Sequence, residues 1–141
     1  MKVRRVVIDT NVLISAALSA STPPATAVRL VLSRGRLLFS PATFTEFETR
    51  LWRPKFDRYL SIETRKALLH DFNAVADWID ISQTGRYSRD PDDDKFVQTA
   101  LDGNAELLIS GDRDLLDMGT VVGLSVMTPE DAVEELLTWA P

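Results

Sequence analysis

Short apolar runs alternate with longer helix-like segments along the chain, and this alternation limits the folds available to it. Residues 3–8 (VRRVVI), 36–40 (RLLFS), 106–110 (ELLIS) and 124–127 (LSVM) are short and mostly apolar, which favours buried strands. Strands that alternate with helices usually pair in parallel through helical crossovers. The sequence therefore predicts an α/β domain with a mostly parallel central sheet.

Capping residues and prolines divide the remaining segments into helices. We expect helices after Asp9, at 26–34, after Pro41, at 61–78, from Asp92, after Gly111 and from Pro129, and one more short strand at 79–82. Gly35 ends the second of these helices, and Thr128 precedes the last one as a cap.

Composition and length restrict the class of protein. A chain of 141 residues with 45% hydrophobic residues suits one domain over residues 1–141. No apolar run is long enough for a transmembrane helix, and the N-terminal apolar stretch ends at Asp9, too early for a secretory signal. The absence of cysteine excludes disulfides and thiolate metal sites and fits a reducing cytoplasm. A net charge of −5 indicates no overall basic surface, although a local basic patch remains compatible with it.

Two aspartates follow predicted strands directly. Asp9 closes the first strand, and Asp112 follows residues 106–110 after Gly111, where the backbone can turn sharply. Ligands of parallel α/β sheets gather beyond the carboxyl ends of the strands. Either aspartate alone could be an ordinary helix N-cap, but two at the same edge favour a ligand site.

Four more aspartates, Asp90, Asp92, Asp93 and Asp94, crowd the start of one predicted helix. With about 100° of rotation per residue, the carboxylate of Asp93 falls on the apolar face of this helix. That face consists of Phe96, Val97, Ala100 and Leu101. The positive helix N-terminus accounts for the other three acids, but an inward carboxylate costs desolvation unless a cation compensates it.

The segment before and after Arg50 mixes acidic, basic and aromatic residues. Periodicity places Glu46 away from the apolar face of its helix and favours a solvated side chain. Residues 50–59 (RLWRPKFDRY) interleave cations with aromatic rings, a pattern that suits single-stranded nucleic acid. The cations are Arg50, Arg53, Lys55 and Arg58. Alternatively, Trp52 and Phe56 pack in the core and the charges are solvated, or the stretch binds a partner chain.

Three segments resemble motifs of the PIN-domain family: residues 6–11 (VVIDTN), 40–56 (SPATFTEFETRLWRPKF) and 89–112 (RDPDDDKFVQTALDGNAELLISGD). The closest resemblance is to single-domain prokaryotic PIN proteins, the VapC-like toxins of toxin–antitoxin systems. It implies a three-layer α/β/α sandwich and four clustered acids, here Asp9, Glu46, Asp93 and Asp112. Asp94 is the neighbour most easily confused with Asp93, and Asp114 is an auxiliary acid. Ser110 stands where many members have threonine.

The resemblance further implies a ribonuclease that depends on Mg²⁺ or Mn²⁺. Carboxylates without histidine or cysteine suit such hard cations, which activate water and polarise a phosphate. We expect Asp9, Asp93 and Asp112 to be the metal ligands. Glu46 would orient or deprotonate the attacking water, and Asn11 would position a phosphate or a carboxylate.

The expected function is therefore a metal-dependent ribonuclease that cleaves RNA in the cytoplasm. Its expected partners are a small antitoxin and a second copy of the chain in a homodimer, with no membrane involved. One alternative is a PIN-like binding or regulatory module with weak catalysis. A receiver-like phosphoacceptor is less favoured, because Thr10 and Asn11 replace its second acid and no lysine follows Lys95.

Overall fold

A six-stranded sheet forms the centre of the computed structural model, which describes residues 3–141. The strands are β1 (Arg5–Ile8), β2 (Arg36–Phe39), β3 (Asp77–Trp78), β4 (Leu107–Ile109), β5 (Thr120–Val121) and β6 (Leu124–Met127). They lie in the order β3-β2-β1-β4-β6-β5, and every neighbouring pair is parallel except β5 and β6. This confirms the mostly parallel sheet predicted from the sequence.

Helices fill the connections between the strands. They are α1 (Thr10–Leu18), α2 (Pro23–Arg34), α3 (Pro41–Leu51), α4 (Ile62–Val75), α5 (Asp94–Asp102), α6 (Arg113–Leu116) and α7 (Pro129–Leu136). Hydroxyl caps fix several of their starts: Ser40 accepts from the Thr43 backbone N–H, and Ser61 from that of Thr64. A 3-10 turn at Pro91–Asp93 leads directly into α5.

The sheet is covered on both faces, which gives the three-layer α/β/α sandwich. Val6 and Ile8 of β1 pack into a core cluster with side chains of α1, α2, α3, α4 and α7. Val7, between them, packs into a second cluster with side chains of α5 and Leu115 of α6. Alternate residues of a strand point to opposite faces, so a strand with helices on both sides needs a continuous apolar run.

Two local predictions are wrong. The strand expected at 79–82 lies instead at Asp77–Trp78, and the preceding helix ends at Val75 rather than at residue 78. Trp78 packs on Phe39 and Phe44, with ring centroids 6.1 and 5.2 Å apart, and these contacts hold the segment at the sheet edge. The hairpin of β5 and β6 was not predicted, because β5 is only two residues long.

Strand register places the acids at one edge. Ile8 of β1 is paired with Ile109 of β4, and the Asp9 backbone N–H donates to the Ile109 carbonyl at 2.9 Å. Asp9 and Ser110 are consequently neighbours although 101 positions separate them. Within residues 3–141 no helix combines the length and apolar character needed to cross a bilayer.

Candidate active site

Asp9 lies at the carboxyl end of β1, where it caps α1. One of its oxygens accepts from the Asn11 backbone N–H at 3.4 Å, and the other from the Ser110 hydroxyl at 2.7 Å. The residue is only 3% exposed. Burial raises the pKa of this carboxyl, and the nearby charges of Glu46 and Asp112 add to that shift against the lowering effect of the two hydrogen bonds.

Ser110 connects two of the predicted acids. Its hydroxyl donates to Asp9 and accepts from the Asp112 backbone N–H at 2.9 Å. Asp112 in turn caps α6, because its Oδ1 accepts from the Asp114 backbone N–H at 2.8 Å. A fully buried hydroxyl thus fixes the carboxyl end of β4 against that of β1.

Asp93 reaches the same edge from the 3-10 turn before α5. It is 8% exposed, and its buried Oδ2 has no hydrogen-bond partner among the described residues. Burial, followed by the charges of Asp112, Asp9 and Asp90, raises the pKa of Asp93 to about 7. The structure therefore places Asp9, Asp93 and Asp112 close enough for their charges to interact.

A tighter group of carboxylates forms around Asp93 than the sequence indicated. One oxygen each of Asp90, Asp93 and Asp114 lies within 4.8 Å of the other two. The sequence analysis treated Asp90 only as an acid favoured by the helix N-terminus. Its spacing of three residues from Asp93, about one helical turn, is the signal that would have placed both on one face.

Glu46 is not the solvated side chain that periodicity indicated; this prediction is wrong. Its side chain is 13% exposed. Its Oε2 accepts from the Thr10 hydroxyl at 2.8 Å, and its Oε1 pairs with Arg50 at 2.7 Å and Lys95 at 3.1 Å. At Glu46, α3 therefore faces the start of α1 and Lys95 of α5 rather than water.

Asp94 also differs from expectation, since it is 1% exposed rather than solvated at a helix end. Its Oδ1 accepts from the backbone N–H groups of Tyr87 and Ser88 at 3.0 and 2.7 Å, and Arg86 lies 3.4 Å from its Oδ2. The loop before α5 folds back over the helix start and covers this carboxylate. Asp94 therefore contacts that loop, whereas Asp93 contacts the other acids.

Comparison with known proteins agrees with this fold. The family model of the PIN domain matches residues 5–114. The chain belongs to the PIN-domain family. It is similar to the uncharacterized protein MJ1680 of Methanocaldococcus jannaschii, with 31% identity over 141 residues that cover 93% of this chain and 90% of that protein.

Two crystal structures resemble this PIN domain in fold. One is the structure of VapBC2 from Rickettsia felis bound to a DNA fragment from the VapBC2 promoter. It superposes with a TM-score of 0.60 and 13% identity, and the match covers 88% of this chain and 98% of that one. PAE2754 from Pyrobaculum aerophilum superposes with a TM-score of 0.62 and 14% identity. The match covers 95% of this chain and 90% of that one. At such identities the comparison establishes the fold.

The basic segment of the PIN domain has two parts. Arg50 turns to the acids, where it contacts Glu46 and, at 3.3 Å, the Asn11 side-chain oxygen. Arg53, Lys55 and Arg58 are exposed. Of the aromatic rings, Phe56 packs against the core and Trp52 lies 5.4 Å from the buried Arg65 guanidinium, whereas Tyr59 is 65% exposed. The exposed side chains of this segment are accessible to a ligand; they are Arg53, Lys55, Arg58 and Tyr59.

An open cleft of about 440 Å³ adjoins the acids on the side of α7. Asn11, Ser15, Gly111, Asp112 and Glu130 contribute to its wall. A Cβ atom at Gly111 would meet no other atom within 4 Å, so the β4–α6 turn leaves space above Asp112. The cleft gives a ligand a direct approach to the acids.

Proposed function

We propose that this PIN domain is a metal-dependent ribonuclease that hydrolyses RNA phosphodiester bonds. The observation that carries the proposal is Asp93: a buried carboxylate with an orphaned oxygen, held against Asp112 and Asp9. Such an arrangement is unfavourable by itself, because like charges at close range oppose ionisation. A divalent cation would relieve the repulsion.

The residues fit Mg²⁺ or Mn²⁺. All the candidate donors are carboxylate oxygens, which hard cations prefer, and the chain has no cysteine. Asp9, Asp93 and Asp112 would hold the ion, with Asp90 and Asp114 close enough to Asp93 to contribute. When bound, such an ion supplies a nucleophile by lowering the pKa of a coordinated water and polarises the phosphate.

The other side chains orient these groups. Ser110 holds Asp9 through its hydroxyl and Asp112 through that residue's backbone N–H, so it fixes both carboxylates. Thr10 and the two cations occupy both oxygens of Glu46. Since only Thr10 contacts Oε2, this oxygen can still accept a second hydrogen bond, through which Glu46 would orient the attacking water. Asn11, at the rim of the cleft, positions a phosphate oxygen through its amide.

Arg53, Lys55, Arg58 and Tyr59 would hold single-stranded RNA outside the acids. The three cations are exposed, and an exposed ring next to them offers a surface on which a base can stack. Because the whole chain carries a net charge of −5, this local patch and not the overall field would supply the attraction.

We further propose that the protein is the toxin of a toxin–antitoxin pair and acts in the cytoplasm as a homodimer, and that residues 1–141 form one domain. The support is the fold shared with VapBC2 and the lack of cysteine. Co-expression with the product of an adjacent small gene, followed by co-purification and a growth assay, tests the pairing. Failure of any partner to co-purify would count against it.

The nuclease is tested with purified protein and total cellular RNA in the presence of Mg²⁺ or Mn²⁺. We expect cleavage that stops with EDTA and falls at least about 100-fold in Asp93→Asn. Asp71→Asn, which removes an exposed acid of α4, is the matched control and should cleave normally. RNA that binds but stays intact would instead support the PIN-like binding module.

A further inference from the structure

Two cations share a single carboxylate oxygen beside the candidate active site. Arg50 of α3 and Lys95 of α5 both contact Oε1 of Glu46, at 2.7 and 3.1 Å. Their side chains are 28% and 21% exposed, so both reach the surface. The second oxygen of Glu46 accepts from Thr10, the residue after Asp9, which places the cation pair next to the acids.

Glu46 does not use all the donors of these cations. The Lys95 ammonium has three N–H groups and contacts two acceptors, Glu46 and, at 2.6 Å, the Asp92 carbonyl. The Arg50 guanidinium has five N–H groups; besides Glu46 it contacts the Asn11 side-chain oxygen at 3.3 Å. One carboxylate between two cations also leaves the group locally positive, so a second anion is favoured there.

An RNA phosphate needs such a site. Asp9, Asp93, Asp112 and the neighbouring acids repel a phosphodiester, and one divalent ion offsets only part of their charge. Arg89, which is paired with Asp114, faces two carboxylates, those of Asp114 and Asp117, so its single charge is more than offset. On the Glu46 side of the site two cations share one carboxylate, and this pairing leaves an excess of positive charge that favours an anion.

We propose that Arg50 and Lys95 together form a binding subsite for an RNA phosphate next to the metal-binding acids, with Glu46 holding their charged ends in position. Lys95 is the new residue here, since the RNA-binding cations predicted from the sequence are Arg50, Arg53, Lys55 and Arg58. The assignment deepens the proposed ribonuclease function and rests on it. Its ligand is the phosphodiester of single-stranded RNA.

Three variants test the subsite: Lys95→Gln removes the charge, Lys95→Arg keeps it, and Lys66→Gln removes an exposed lysine of α4 as the matched control. Binding of a short fluorescent single-stranded RNA is measured against salt concentration in the Asp93→Asn background, which leaves the RNA intact. We expect Lys95→Gln to reduce the slope of log K against log salt by about 0.7, the loss of one phosphate contact.

Cleavage is then measured with Asp93 intact. Lys95→Gln should lower kcat/KM at least about tenfold with an unchanged Tm, Lys95→Arg should recover most of it, and Lys66→Gln should match the wild type. If Lys95→Gln and Lys66→Gln showed the same salt slope and the same kcat/KM, the proposed subsite would be overturned. So would a lowered Tm in both Lys95 variants together with an unchanged salt slope, because Lys95 would then be only structural.

The test separates this proposal from the ribonuclease. If the wild-type protein cleaves no RNA but Lys95→Gln still reduces the salt slope, the nuclease proposal fails and the phosphate subsite stands. If the wild-type protein cleaves RNA and Lys95→Gln changes neither the slope nor kcat/KM, the subsite fails and the nuclease stands.

Discussion

Asp93 and Asp94 are adjacent in the chain but contact different parts of the molecule. Asp93 lies against Asp112 with one buried oxygen that lacks a hydrogen-bond partner among residues 3–141, whereas Asp94 accepts two backbone N–H groups from the loop before α5. The 3-10 turn ends at Asp93 and α5 begins at Asp94, which sends the two side chains in different directions. One carboxylate is thus satisfied by the fold, and the other is the one that we assign to the proposed cation.

The stability of the metal-free protein should fall as pH rises. The pKa of Asp93 is about 7 in the folded protein, above the value near 3.9 in an unfolded chain. Between these values the folded state holds a proton that the unfolded state has lost, so the free energy of unfolding decreases by up to about 1.4 kcal/mol per pH unit. The raised pKa of Asp9 acts in the same direction.

Thermal unfolding in EDTA at about pH 5 and about pH 7, both within this window, measures the effect. We expect a lower Tm at the higher pH, recovery on addition of Mn²⁺, and a smaller pH dependence in Asp93→Asn. A Tm that rises with pH, or an Asp93→Asn variant as sensitive as the wild type, would contradict the raised pKa.

Asp94→Ala should destabilise the protein without removing the metal site. Two backbone N–H groups of the loop would lose their charged acceptor. Each lost hydrogen bond should lower the free energy of unfolding by no more than about 1.5–3 kcal/mol. Denaturant unfolding gives the stability and Mn²⁺ titration gives the affinity. Asp92→Ala, which removes an exposed neighbour, is the control. Normal stability of Asp94→Ala together with loss of Mn²⁺ binding would show that Asp94, and not Asp93, is the metal ligand.

Ser110→Ala should weaken Mn²⁺ binding by about 10–100-fold, since the hydroxyl that orients two of the acids is lost. Ser110→Thr keeps the hydroxyl and should bind nearly as well as the wild type. Isothermal titration with Mn²⁺ measures both. Equal affinities in the alanine and threonine variants would show that the hydroxyl does not position the ligands.

The exposed cations of residues 53–58 should govern RNA affinity more than catalysis. Replacing Arg53, Lys55 and Arg58 by serine removes phosphate contacts, so the salt slope of RNA binding should fall by up to about 2. KM should rise while kcat changes little. Replacement of Arg29 and Lys66, which are exposed on α2 and α4, provides the control. A fall in kcat with unchanged RNA binding would place the segment in the chemistry instead.

Much of this architecture could be predicted because local patterns and burial agree. Val6, Val7 and Ile8 form an uninterrupted apolar run, which only a strand covered on both faces needs. Asp93 could be assigned to the inside because its helical phase matches that of Phe96 and Val97, which are buried. In both cases the signal comes from a few neighbouring residues.

The wrong predictions involve contacts that helical and strand periodicity does not describe. Glu46 has a polar helical phase, and only its contacts with Thr10 and Lys95 show that another helix start covers it. Asp94 is buried by a loop whose path no periodicity describes. The two-residue strand β3 exists because Trp78 packs on Phe39. Tertiary packing overrides local preference at such positions.

The position of β4 beside β1 has a consequence for synthesis of the protein. Asp9 is translated early, but its partner Ser110 and the capping residue Asp112 follow only after most of the chain has been synthesised. A nascent or truncated polypeptide that stops before β4 therefore lacks Ser110 and Asp112, and with Asp112 one of the proposed ligands. On this geometry the proposed nuclease can become competent only after this late strand has inserted next to the first.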